Sequence, residues 1–294
     1  MSAATVGGGD LRATPLTPST PAGIVVRTYI NEQVDVLNRT IGQIQRDTPG
    51  SVGLTRTTIH RIRTAIRGYR HLFADPPHGG PQLDQLLASL KHTEDLEALR
   101  VHFIDRFDQL DLAPKERPRW YATLKTEQDE AYRQIHRIGT QTWVAALLGQ
   151  VRVFADSAEF TREGAKPASS LTGTLTRTKA HLLHTYAQLP HAEDLQAARE
   201  ELRQTARRSR SMAEAVEPAL GRVAAEMIAP IVDLEHLLEQ YRRVSVARTW
   251  LLRLPGADRA RPVTTTLIEL EQRALHRTGE QIDQAAAVLI ERWS

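Results

Sequence analysis

The fold is decided by residues 57–73, TTIHRIRTAIRGYRHLF. Apolar side chains recur there every three or four residues, which is typical of an amphipathic α-helix. On a helix that turns about 100° per residue, the basic side chains fall within an arc of roughly 80° beside the apolar face. This basic stripe consists of His60, Arg63, Arg67 and Arg70. Because residues 51–74 contain no Asp or Glu, the stretch predicts a core-facing helix with an uncompensated basic edge.

A second stretch, residues 199–221 (REELRQTARRSRSMAEAVEPALG), has the same arrangement. Arg203, Arg207 and Arg210 fall within about 60° of arc, and Arg208 lies off that line. Arginines from two such helices facing one cavity would repel each other unless an anion compensated them. Guanidinium groups bind phosphate oxygens bidentately. The two stripes therefore predict that a phosphate-rich polyanion binds between two helices.

The rest of the chain is also typical of an all-α protein, because no run of period-two alternation is convincing. Helices are predicted near 21–46, 54–74, 81–111 and 115–154, and again near 169–188, 192–216, 218–254 and 260–292. We therefore expect two pseudo-symmetric four-helix bundles, 21–154 and 169–294, with a linker at 155–168 and a shared basic central pore. Residues 1–20, rich in Gly, Ser, Thr and Pro, are predicted to be a disordered tail.

Composition excludes several functional classes. The chain of 294 residues is 41% hydrophobic, carries a net charge of only +3 and contains no cysteine, which rules out disulfides and thiolate metal sites. No signal peptide or membrane-spanning run is recognisable, so we expect a cytoplasmic protein without membrane association. Without a Walker loop, a G-x-S-x-G elbow or a zinc motif, we expect no catalytic residue, cofactor or metal, and no enzyme.

The first stripe resembles the signature helix of the CHAD (conserved histidine α-helical domain) family, approximately V-H-x-x-R-V-x-x-R-R-x-R. His60, Arg63, Arg67 and Arg70 match its main basic positions. Gly68 stands where the family usually has a second arginine. Residues 22–37 look like the family's first helix. Residues 90–103 look like the segment that follows the signature, with Glu94 in place of its arginine.

The second stripe resembles the family's repeat, approximately L-H-x-x-R-K-x-x-K-R-x-R-Y-x-x-E. Its basic positions are matched by Arg203, Arg207, Arg208 and Arg210. Glu200 stands where the histidine belongs, and Gln204 replaces the lysine. A carboxylate at this edge of the stripe is expected to pair with Arg203 and to repel phosphate. Arg61, Arg242 and Arg243 are further candidates that would add positive charge.

The resemblance implies a stand-alone CHAD protein, without a triphosphate-tunnel (CYTH) domain, that binds inorganic polyphosphate in a central pore and associates with polyphosphate granules. Other phosphate-rich polyanions are further candidate partners. The predicted binding residues are His60, Arg63, Arg67, Arg70, Arg203, Arg207, Arg208 and Arg210. Two alternatives stay open: a nucleic-acid-binding protein, and a helical scaffold with a partly degenerate pore that binds another protein.

Overall fold

The computed structural model describes residues 15–77 and 81–293. Within these ranges the chain forms eleven α-helices and no β-strand, which confirms the all-α class. The helices are α1 (Ala22–Ile44), α2 (Ser51–Gly68), α3 (Pro81–Gln109), α4 (Arg119–Gly139), α5 (Thr142–Ser157), α6 (Thr172–Ala187), α7 (Leu195–Glu214), α8 (Glu217–Leu220), α9 (Arg222–Arg253), α10 (Gly256–Arg259) and α11 (Pro262–Trp293). None of the described helices is both long and apolar enough to cross a membrane.

The apolar faces predicted beside the two stripes are buried. On the first stripe these side chains are Ile59, Ile62, Ile66, Tyr69 and Phe73, and on the second Leu202, Ala206, Ala213 and Val216. The two stripes therefore lie on helices, α2 and α7, whose rotation is fixed by core packing. The two helices also pack against each other.

The first stripe is shorter than predicted, because α2 ends at Gly68. Tyr69 leaves the helical conformation, and its hydroxyl donates to the backbone oxygen of Met212 on α7 (2.8 Å). Arg70 begins a separate 3-10 turn, Arg70–Leu72. A Cβ at Gly68 would lie 2.8 Å from the Met212 side chain of α7, so a larger residue there would require that flexible side chain to shift. The prediction of one helix over 54–74, with Arg70 in its basic row, was wrong.

The fourth predicted stretch, 115–154, is two helices. α4 ends at Gly139, and α5 begins at Thr142 and packs against α1. The other helices of the first half pack in the order α1, α2, α3, α4, and those of the second half in the order α6, α7, α9, α11. The same order in both halves agrees with a duplication, and the pseudo-twofold relation itself stays a prediction.

The apolar side chains form two cores, and each core contains residues from both halves of the chain. Three long helices, α3, α9 and α11 (29, 32 and 32 residues), run through both cores. In the smaller core Phe103 and Trp120 pack against Leu251 and Leu267 from the second half. The predicted boundary at 155–168 therefore does not separate two independent cores.

The predicted linker is hydrogen-bonded to α1 and to the turn that follows α2. Thr161 donates its amide to the Leu72 oxygen just after α2 (3.0 Å), and Gly23 of α1 donates to the Gly164 oxygen (2.9 Å). The end of the predicted tail joins this network, because Ala168 donates to the Thr20 oxygen (2.8 Å). Residues 1–14, the larger part of the predicted tail, lie outside the described residues.

Candidate functional site

A cleft of about 720 Å³ opens between α2, α3 and α7. We call it the basic cleft. Its basic lining residues are Arg56, His60, Arg63 and Arg67 of α2, Lys91 of α3, and Arg203, Arg207 and Arg208 of α7. Its acidic lining residues are Asp84 and Glu200. The cleft thus brings together six of the eight predicted binding residues, from both halves of the chain.

The other two predicted residues lie elsewhere. Arg70, on the 3-10 turn, does not line the basic cleft. Arg210 lines a second cleft of about 290 Å³, here called the mixed cleft, together with Arg61. Arg203 and Arg207 line both clefts and so form the wall between them. The expectation that both complete rows converge on one cavity was therefore wrong.

Two arginines of α7, Arg203 and Arg210, are neutralised by carboxylates. Glu200 accepts hydrogen bonds from Nε and Nη2 of Arg203 (both 2.8 Å), and Glu239 of α9 accepts one from its Nη1 (3.1 Å). Arg210 donates in the same way to Glu214 (2.7 Å) and Glu235 (3.1 Å). These arginines already have anionic partners, so they add little free charge to either cleft.

Glu214 and Glu235 make the mixed cleft a charge-compensated one. Arg61 lies 3.3 Å from Glu214, so it too is paired. Burial raises the pKa of Glu235, although Arg210 and Arg207 act in the opposite direction. The basic cleft differs, because three of its arginines form no direct ion pair with a carboxylate of the described residues.

The cations without a direct ion pair are Arg67, Arg207 and Arg208 of the basic cleft. Within the described residues no carboxylate forms an ion pair with Arg67 or Arg208. Arg207 also forms no direct ion pair there, although the charges of Glu239 and Glu235 on α9 act on it. Arg63 pairs with Asp84 (3.0 Å), whose side chain is 64% exposed, so solvent weakens that pair. Burial lowers the pKa of Arg207, and the guanidinium groups of Arg203 and Arg56 lower it further, against the weaker opposing charges of Glu239 and Glu235. A partly buried cation among cations favours an anion beside it.

The comparison with protein families agrees with this geometry. The model of the CHAD domain matches residues 28–252, about three quarters of the chain. The chain belongs to the CHAD family. No curated protein matches it in sequence.

Two solved structures show the same fold as this CHAD domain. PptA from Streptomyces chartreusis superposes with a TM-score of 0.67 at 16% identity, covering 90% of this chain and 99% of that chain. The CHAD domain from the plant Ricinus communis superposes with a TM-score of 0.59 at 14% identity, covering 96% of each chain. At these identities the likeness concerns the fold alone.

His60, the histidine of this CHAD domain's signature, is neutral in the free protein. Burial lowers its pKa to about 4, and the surrounding charges of Arg56, Arg207, Arg63 and Arg203 act in the same direction. A histidine with an ordinary pKa gains its charge below about pH 6.5. The lowered pKa moves that change to much more acidic conditions.

The further candidates do not reinforce the basic cleft of this CHAD domain. Arg242 is buried and donates to Glu239 (2.8 and 2.9 Å) and Asp95 (2.6 Å). Arg243 is exposed and lines a different cleft of about 840 Å³, lined also by several carboxylates. The expectation that this pair compensates the weakened second motif was wrong, because neither lines the basic cleft and Arg242 is already paired with Glu239 and Asp95.

Sequence reasoning missed Lys91, which reaches the basic cleft from α3. It is ion-paired with Asp95 one helical turn along (2.6 Å). No periodic pattern marks it, since a single lysine among mixed charges is ordinary on a helix. Across residues 15–77 and 81–293, no group of three or more His, Cys, Asp or Glu side chains could hold a metal ion.

Proposed function

We propose that this CHAD domain binds inorganic polyphosphate in the basic cleft, without catalysis. One observation carries the proposal: Arg67 from α2 and Arg207 and Arg208 from α7 line one cleft, and among the described residues none of the three forms a direct ion pair with a carboxylate. Each guanidinium presents a planar fork of donors that matches two phosphate oxygens. A phosphate polymer would supply the direct anionic partners that these three arginines lack in the described part of the chain.

The spread of the cations favours a chain over a single phosphate. Along α7, Arg203 and Arg208 are separated by about 7.5 Å of helix axis, at about 1.5 Å per residue. Lys91 on α3 and Arg67 on α2 extend the basic lining to the facing walls. One phosphate group contacts only part of this surface, whereas a linear chain contacts cations on all three helices at once.

The lining disfavours single-stranded nucleic acid. Among the described residues of the basic cleft none is Phe, Tyr or Trp, so no aromatic platform is available for base stacking. Competition tests this distinction. Long-chain polyphosphate is expected to displace bound single-stranded RNA at a lower phosphate concentration than RNA needs to displace bound polyphosphate. Displacement of polyphosphate by RNA at equal phosphate would favour the nucleic-acid alternative.

The direct test replaces the uncompensated cations. The triple variant R67A/R207A/R208A is expected to bind polyphosphate at least about a hundredfold more weakly, because each charge-assisted hydrogen bond contributes roughly 1.5–3 kcal/mol. The matched control, R137A/R253A/R273A, removes three exposed arginines and the same net charge. Equal weakening in both variants would show that only net charge matters, and retention in the first would exclude the cleft.

Salt and chain integrity complete the test. With about four phosphate contacts on a flexible strand, affinity should fall roughly fifty-fold between about 50 and 200 mM salt. The length of the polyphosphate should be unchanged after incubation, and any shortening would contradict a purely binding role. The same proposal places the protein on polyphosphate granules in the cytoplasm, where the triple variant should become diffuse.

A further inference from the structure

The basic cleft adjoins a smaller pocket between α7 and α9. This pocket has a volume of about 220 Å³, and Lys91 and Glu200 line both spaces. We call it the Arg199 pocket, after the arginine that lines its wall. Gln196 and Arg242 also line it. Lys91 and Glu200 therefore stand at the junction between the two spaces.

Arg199 is a desolvated cation with unmet hydrogen-bonding capacity. Only 8% of the residue is exposed, and its guanidinium lies over the ring of Tyr241, 4.6 Å from the centroid. Its Nε has no hydrogen-bond partner. Its nearest carboxylate, Asp283 of α11, is 3.7 Å away and 57% exposed. A buried arginine that is incompletely paired indicates a place where an anion would be stabilised.

Glu200 places a fixed negative charge at the junction. Its two oxygens are held by Arg203, and Gln204 donates to Oε1 (3.1 Å). Burial acts to raise the pKa of Glu200, but the hydrogen bonds and charge of Arg203 outweigh it and lower the pKa to about 2. The carboxylate therefore stays ionised at any ordinary pH. An anion advancing from the basic cleft meets this charge before it reaches Arg199.

We propose that Glu200 is a specificity-determining residue that ends the path of the bound phosphate chain at the junction, and that the Arg199 pocket is a further phosphate subsite which opens when this charge is removed. The inference rests on the proposed binding of polyphosphate in the basic cleft. In the native protein the polyphosphate thus stays within the basic cleft. Phosphate groups beyond the length of the cleft make no further contact with the protein.

The test compares a short and a long chain. E200Q keeps the size of the side chain and removes its charge, and the neighbouring exposed Glu201 offers the matched control E201Q. For tripolyphosphate, E200Q should raise affinity by a few-fold, because one like charge has gone and Arg203 loses one of its two carboxylate partners. For long-chain polyphosphate, the increase in affinity caused by E200Q should be about ten times larger than the increase for tripolyphosphate. E201Q should change the affinities for both chain lengths slightly and equally. Equal gains for both chain lengths in E200Q would overturn the proposal.

A second substitution locates the extra gain. R199A added to E200Q should abolish the excess for the long chain, and R199A alone should leave wild-type binding unchanged. Q196E provides a variant that does not disturb the core, since Gln196 is exposed at the rim of the pocket. In the E200Q background Q196E should also cancel the excess. An excess that survives both substitutions would refute the subsite.

The two proposals fail in different ways. If R67A/R207A/R208A leaves polyphosphate binding intact, the basic cleft is not the site and the proposed function fails. If that variant loses binding but E200Q shows no chain-length dependence, the proposed function stands and Glu200 does not limit the path.

Discussion

His60 should make the stability of the free protein unusually sensitive to mild acid. Its pKa falls from 6.5 to about 4 on folding, because the imidazole is partly buried and faces Arg56 and Arg63 on α2 and Arg203 and Arg207 on α7. Between these two values the unfolded chain binds a proton at this residue and the folded chain does not. The free energy of unfolding therefore decreases as the pH is lowered through that window.

The size of the effect follows from the shift. One pKa unit corresponds to 1.36 kcal/mol, and integration from pH 7 to pH 5 with these two values gives about 2 kcal/mol. The ring is partly exposed, so solvent screening reduces the expected loss to about 1 kcal/mol. An anion in the basic cleft would offset the arginine charges, and long-chain polyphosphate should therefore diminish this loss.

Urea unfolding at pH 7 and pH 5 measures this loss in the free energy of unfolding directly. Wild type should lose about 1 kcal/mol more than H60Q between the two conditions, since glutamine does not titrate and the carboxylates common to both proteins cancel. The pKa of His60 should also be read by NMR titration of the free protein. Equal losses in wild type and H60Q, or a measured pKa near 6.5, would refute the reasoning.

Two further predictions concern stability. Glu239 accepts hydrogen bonds from both Arg203 and Arg242, which are 5% and 8% exposed, so E239A should lower the free energy of unfolding by about 3 kcal/mol in urea melts. E201A, on the surface, should change it by less than about 0.5 kcal/mol, and equal effects would exclude a structural role for the network. A Cβ at Gly164 would lie 2.2 Å from the Leu72 oxygen, whereas Gly149 has open space inside α5. G164A should therefore lower the thermal midpoint. G149A should raise it, with a gain in stability of up to about 1 kcal/mol. The opposite order would contradict the close packing of the loop against the turn after α2.

Local periodicity predicted the helices and their buried faces well, because helix geometry relates neighbours three and four residues apart. Ile59 and Ile62 on α2 and Leu202 on α7 are buried as expected. The break between α4 and α5 was missed, since no proline marks it and apolar residues continue on both sides. The sharing of both cores by the two halves was missed too, because it depends on how the long helices cross, which no local pattern encodes.

The candidate site was predicted in composition more than in arrangement. Six of the predicted residues share the basic cleft, which follows from the rotation of α2 and α7. The charge balance of the site could not be predicted from the two stripes. Arg210 pairs with Glu235 and Arg203 pairs with Glu239, and both carboxylates belong to α9, 25 and 36 residues further along the chain. A stripe on a helical wheel shows which cations lie together and leaves open which anions meet them.

The wall formed by Arg203 and Arg207 makes the two spaces on either side of α7 energetically interdependent. An anion that settles against Arg207 reduces the positive potential felt by Glu235 on the far side, and thereby makes that carboxyl easier to protonate. By thermodynamic reciprocity, a proton taken up by Glu235 tightens the grip on the anion to the same degree. Charge alone would therefore couple the occupancy of the basic cleft to the protonation of a carboxyl in the mixed cleft.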